Sequence, residues 1–210
     1  SIPKTAEDVE TLRLHRNLSA SALQNYLSCP AKFYYHSVKG LNAKEEVAET
    51  LDSGMVGSVF HEAMQTLYSV PSGTLDGPYL KGLLRGDAIQ DTVHALIMKQ
   101  LNSFEVAGRN LIFEDMICRY VRKTVESDLL LLGASAAGRI SILGLEQKRR
   151  AEIGGFRFVG YIDRLDSINP GEVRIVDYKT GKVTDNDFII TEGNATSARM
   201  TIAAIAISLP

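Results

Sequence analysis

Glu146, Asp163, Asp177 and Lys179 are the residues whose types and spacing can do chemistry together. Gly154-Gly155 is a strong signal for a two-residue hairpin turn. With Ile153 facing Phe156 across that turn, Glu146 lies directly opposite Asp163. Asn169-Pro170-Gly171 reads as a three-residue hairpin loop, and with it Asp163 lies opposite Asp177. The three acids then form one row across three neighbouring strands, with facing Cβ atoms about 4.5–5.5 Å apart. Lys179, two residues beyond Asp177, falls on the same face. A one-residue slip in register would turn Glu146 to the other face.

Three like charges at that spacing repel one another unless a cation or a shifted pKa relieves them. Clustered carboxylate oxygens suit Mg²⁺ or Mn²⁺, which keep several waters and are commonly completed by substrate phosphate. A lysine beside such an ion can orient or deprotonate the attacking water, or balance charge on the phosphate. Acids on strands also line solvent-facing sides of sheets. Against that reading, Asp163 and Asp177 stand among Val159, Ile162, Leu165, Ile175 and Val176. The apolar setting favours function.

The elements that position these residues change period along the chain. The first half reads as helical. Ser19 or Ser21 caps a short helix, Ala22–Ser28, interrupted at Cys29-Pro30; Pro30 opens a second helix carrying Phe33, Tyr34 and Tyr35. Residues 42–53 are polar and read as a surface connection. Val56, Val59, Phe60, Ala63, Met64 and Leu67 have helical spacing. Residues 69–87, rich in Gly and Pro, read as loop. Helices follow from Asp91 to about Phe104 and from about Asn110 to Leu132, the latter with Phe113, Met116, Ile117, Tyr120, Val121 and Val125 on one face. The period then becomes two, with strands at 140–153, 156–168 and 172–178. Ser197–Leu209 reads as a last helix. The class is α+β, N-terminal helices packed with a mixed sheet whose core is an antiparallel three-stranded meander.

Composition bounds the function. Hydrophobic residues make up 45% and charged residues 23%, which excludes a disordered chain. A formal net charge of −2 does not advertise a nucleic-acid partner, so only local basic clusters would. Cys29 and Cys118 are too few for a disulfide framework and suit a reducing compartment. No apolar run reaches the length of a membrane span, and no signal segment opens the chain. Ser1 in place of Met reads as the start of a piece of something larger. The expectation is a single cytoplasmic, bacterial domain over 1–210, with a mainly helical part at 1–138 and the catalytic sheet at 139–210.

Gly160-Tyr161-Ile162-Asp163-Arg164-Leu165-Asp166, followed by Val176-Asp177-Tyr178-Lys179-Thr180-Gly181, resembles the core of the PD-(D/E)xK nuclease superfamily. Within it, the chain is most similar to the RecB-like/AddB-like nuclease domain of bacterial helicase–nucleases. Two upstream segments agree. Leu18 through Leu23, with Tyr26-Leu27-Ser28-Cys29-Pro30 and Phe33-Tyr34-Tyr35, is similar to that group's opening motif. Gly57-Ser58-Val59-Phe60-His61-Glu62 is similar to its helix bearing a metal-binding histidine. The resemblance implies a restriction-endonuclease-like fold in which His61, Asp163, Asp177 and the Tyr178 carbonyl hold Mg²⁺ or Mn²⁺. It further implies Lys179 as the catalytic lysine and Glu146 as the acid of the first core strand. By itself a lone histidine on a half-apolar helix is more often structural. Residues 61–65 lack the second histidine of a zinc protease.

The sequence departs from the group in two places. Iron–sulfur members hold a cluster with one cysteine near the Cys-Pro motif and three after the core. Only Cys29 occupies such a place here, so no cluster is expected and Cys29 reads as a small buried apolar residue. The group also carries Gln and Tyr four residues apart on a helix after the core; residues 199–204 have neither, leaving Arg199 as a phosphate contact. Lys182 and Arg164 are further candidate DNA contacts. Gly181-Lys182-Val183-Thr184 lacks the elements of a P-loop. The basic clusters Lys148-Arg149-Arg150, Arg119-Arg122-Lys123 and Arg13-His15-Arg16 fit a DNA backbone and a solvated face equally well. Phe33, Tyr34 and Tyr35 suit core packing more than base stacking. The expected function is a metal-dependent DNA exonuclease of repair and recombination, acting on DNA ends with a helicase partner. The alternative is a degenerate nuclease fold that binds DNA or scaffolds a helicase.

Overall fold

The computed structural model describes residues 5–41, 49–134 and 137–181 of the 210-residue chain. Backbone contacts divide it into two compact units, each assembled from segments distant in sequence. Among the described residues, the first holds 5–41 and 148–162, and the second 49–134, 137–147 and 163–181.

In the first unit, helix α1 (Ala6–His15) opens with a reciprocal cap. Asp8 N–H donates to Thr5 Oγ1 at 3.1 Å, and Thr5 N–H donates to Asp8 Oδ2 at 3.3 Å. A short strand β1 (Asn17–Leu18) leads into helix α2 (Ala20–Ser28), capped by Ser19, whose hydroxyl accepts the Ala22 N–H at 3.1 Å. Cys29 is extended, as a residue before proline must be, and Pro30 begins helix α3 (Pro30–Phe33), which widens into a π-helical turn over Tyr34–Val38. Leu18, Ala22, Phe33 and Val38 form the small core. Two expectations change here. Cys29 is exposed, because the extended corner between α2 and α3 carries it away from that core. Of the three adjacent aromatics, Phe33 packs inward while Tyr35 is exposed.

In the second unit, helix α4 (Ser53–Tyr68) starts at Asp52, whose carboxylate accepts the Met55 N–H at 2.8 Å. The predicted stripe Val56, Val59, Phe60, Ala63, Met64 and Leu67 is buried throughout. Of the expected loop at 69–87, residues 69–73 and 86–87 are irregular, while 74–85 form a strand, β2 (Thr74–Asp76), and a helix, α5 (Gly77–Arg85). Gly77 and Pro78 mark the start of that helix. Asp76 caps the helix by accepting the Tyr79 N–H at 2.8 Å, and Pro78 sits in the first turn, where no backbone donor is needed. Leu80 and Leu83 anchor the helix in the core. Asp76→Ala is expected to cost about 1 kcal/mol, read as a lower urea midpoint at unchanged slope; an unchanged midpoint would refute the cap.

Helix α6 (Ala88–Leu101) ends at Asn102, a left-handed cap at φ 48°. Helix α7 (Asn110–Ala134) buries Ile117, Val121 and Val125. Asn110 ties α7 to the segment before α4, accepting the Leu51 N–H and donating to the Glu49 carbonyl, each at 3.0 Å.

The strands are β3 (Arg139–Ile153), β4 (Phe156–Ser167) and β5 (Arg174–Val176). Gly154 and Gly155, at φ 59° and 76°, form the predicted turn between β3 and β4. In the first unit the start of β4 pairs in parallel with β1, Leu18 facing Phe158. In the second, β3 lies between β2 and β4, and Leu75 of β2 faces Ile140 in antiparallel register. There β5 pairs antiparallel with the end of β4: Arg164 faces Val176, and Asp166 faces Arg174. That is the register expected from the Asn169-Pro170-Gly171 loop. The fold is α+β with a mixed sheet. Among the described residues no helix is long and apolar enough to cross a membrane.

Candidate metal centre

Three side chains of the second unit converge. His61 comes from α4, Glu146 from β3 and Asp163 from β4, and one ligand atom of each lies within 4.8 Å of the other two. His61 Nδ1 stands 3.5 Å from Glu146 Oε1 and 3.5 Å from Asp163 Oδ1. On the other side of the ring, Nε2 faces the Tyr178 carbonyl at 3.1 Å. The neutral tautomer with its proton on Nε2 donates to that carbonyl and leaves the Nδ1 lone pair facing the carboxylates. The Tyr178 N–H donates to Asp163 Oδ2 at 2.6 Å, which directs the other oxygen toward His61.

Glu146 reaches this point through an unusual backbone. It is left-handed at φ 46° inside β3, a conformation rare for a non-glycine residue and costly to hold. Burial, and then the charge of Asp163, raise its pKa above its ordinary value, and Asp177 adds to the effect. The His61 pKa is raised chiefly by its hydrogen bond to Asp163, against the effect of burial. One imidazole nitrogen and two mutually repelling carboxylates form a donor set that fits a hard divalent ion such as Mg²⁺ or Mn²⁺.

The shifts fix a pH dependence. Without metal, His61 contributes stability that is fully present below its ordinary 6.5 and lost as pH rises through its higher folded value. Glu146 contributes below its ordinary 4.5 and loses that contribution through its own raised value. A cation requires neutral His61, so its stabilisation runs the other way and grows with pH. The rise in melting temperature from EDTA to Mn²⁺ is therefore expected to be larger at about pH 8 than at about pH 6. Equal rises at both would exclude His61 as a ligand.

Asp177 is not among the three grouped side chains; it follows the last residue of β5, Val176, and forms an ion pair with Lys179. Both are substantially exposed. The Tyr178 carbonyl, expected as a ligand, faces His61 Nε2. Lys182 and Arg199 lie outside the described residues, as does the helix expected over Ser197–Leu209. Arg164 corrects its expectation. It is 1% exposed and cannot meet DNA, because Asp128 and Asp166 hold its guanidinium in the interior.

Asp128 escaped the sequence reading. It lies seven residues beyond Val121 on the apolar stripe of α7, and an acid at such a position signals a buried partner. Of the α7 basic cluster, Arg119 pairs with Asp115 at 2.6 Å and Arg122 donates to the Leu84 carbonyl at 2.8 Å. Lys123 lines a cavity of about 530 Å³ with Tyr120, Thr124, Ser127, Lys179 and Thr180. In the first unit Lys148 lies over the Tyr161 ring, Arg13 lies over Phe156, and Arg16 donates to the Val38 carbonyl. Cys118 is buried, and burial raises its thiol pKa to about 11.

A mixed sheet with helices draws a histidine and two carboxylates together beside Asp-Tyr-Lys, a group able to hold a divalent ion. The chain matches the family model of the PD-(D/E)XK nuclease superfamily over residues 17–200 and belongs to that superfamily. Comparison with curated proteins returns no match.

Proposed function

We propose that the chain is a divalent-metal-dependent deoxyribonuclease, an exonuclease of the RecB-like/AddB-like kind that works with a helicase in cytoplasmic DNA repair and recombination. The convergence of His61 Nδ1, Glu146 and Asp163 carries this reading. A bound Mg²⁺ or Mn²⁺ supplies an activated water and screens phosphate charge. His61, Glu146 and Asp163 hold the ion, with Asp177 alongside. Tyr178 orients two of them, its carbonyl accepting from His61 and its N–H donating to Asp163. Lys179, exchanging Asp177 for substrate, donates to the phosphate or the attacking water. The nucleic-acid strand runs along the groove that Lys123 and Lys179 share, where Lys123 meets a neighbouring backbone phosphate.

End-labelled linear single- and double-stranded DNA, incubated with the protein in Mg²⁺, Mn²⁺ or EDTA, tests the proposal. Shortening from an end that requires metal is the expected result. A folded protein that binds DNA and never cuts it, alone or with its helicase, would make this a non-catalytic member of the superfamily.

A further inference from the structure

Tyr178 links two candidate ligands through its own backbone, so any drift of that backbone moves Asp163 and His61 together. Its ring holds it in place. The ring is buried, in edge contact with Phe60 at 5.5 Å, and lies 5.6 Å from the Arg164 guanidinium. Its hydroxyl has no hydrogen-bond partner among the described residues, so the anchorage belongs to the ring face.

Arg164 is itself clamped. Its two terminal nitrogens donate to the two oxygens of Asp128 at 2.7 and 2.9 Å. Its Nε lies 2.8 Å from Asp166 Oδ2, at an angle too oblique for a hydrogen bond. Tyr68 donates to Asp128 at 2.7 Å and lays its ring 5.1 Å from the guanidinium. Arg174 braces Asp166 with two bonds of 2.8 Å. Two arginines thus balance two aspartates, and all four belong to the second unit.

We propose that Arg164 is a positioning residue of the metal centre: clamped by Asp128 and Asp166, it fixes the Tyr178 ring and, through the Tyr178 backbone, the placement of Asp163 and His61. This rests on the reading of His61, Glu146 and Asp163 as a cation site. Arg164 itself touches neither ion nor substrate. A planar guanidinium bonded bidentately to Asp128 and stacked on two rings is a geometry lysine does not reproduce.

Calorimetric titration with Mn²⁺, with thermal melting alongside, separates the possibilities. Tyr178→Phe keeps the ring and is expected to bind Mn²⁺ within about twofold of wild type. Tyr178→Leu and Arg164→Lys are expected to remain folded and to bind about tenfold or more weakly. If wild type binds Mn²⁺ and both of these variants bind it equally well, the positioning role is overturned. A wild-type protein that binds no Mn²⁺ overturns the cation-site reading beneath it. If Arg164→Lys does not fold, Tyr178→Leu alone decides.

Discussion

Lys179→Ala and Asp177→Ala are each expected to lower metal-dependent cleavage by a factor on the order of 10²–10⁴ without unfolding the protein. The magnitude is that of removing one preorganised proton-handling or electrostatic group from a reaction centre. The retained fold follows from exposure: the Lys179 and Asp177 side chains are 36% and 37% exposed, and their ion pair faces water. Such pairs contribute roughly 0–1 kcal/mol to stability. Loss of cleavage in these variants therefore reads as lost chemistry. Single-turnover cleavage beside a melting curve checks both halves, and wild-type cleavage by either variant would remove that residue from the mechanism.

Asp128→Ala is expected to destabilise the protein by about 3–5 kcal/mol. For a chain of this size that is a fall in melting temperature on the order of 10 °C. Asp128 is 3% exposed and accepts from Arg164, Tyr68 and Arg174. Truncation leaves the Arg164 cation buried with only Asp166 to balance it. The large cost is that of an orphaned charge, since an intact buried network need not be a net source of stability. Asp115→Ala is the control. Its i,i+4 pair with Arg119 is short, yet the Asp115 side chain is 61% exposed, so a loss below about 0.5 kcal/mol is expected. Similar melting temperatures for the two variants would refute the assignment of Asp128 as a structural charge.

A serine N-cap at Ser19 or Ser21, the apolar stripe of α4, the glycine turn between β3 and β4 and the β4–β5 register were all readable in the sequence, because each depends on residues a few positions apart. Period, cap chemistry and turn chemistry act locally, and they fix which strand residues face one another. Asp76-Gly77-Pro78 carries the residue types of a loop yet starts a helix, since those residues serve turns and helix starts alike. Motif order pointed to His61, and the fold brought its Nδ1 between two carboxylates. The tertiary structure alone decided that Asp177 pairs with Lys179, that Glu146 is left-handed inside β3, and that Arg164 faces inward. Whether a charge is buried depends on partners that no local pattern contains. Asp128, which makes the interior habitable for Arg164, lies 36 positions away on a helix whose periodicity shows only an apolar stripe.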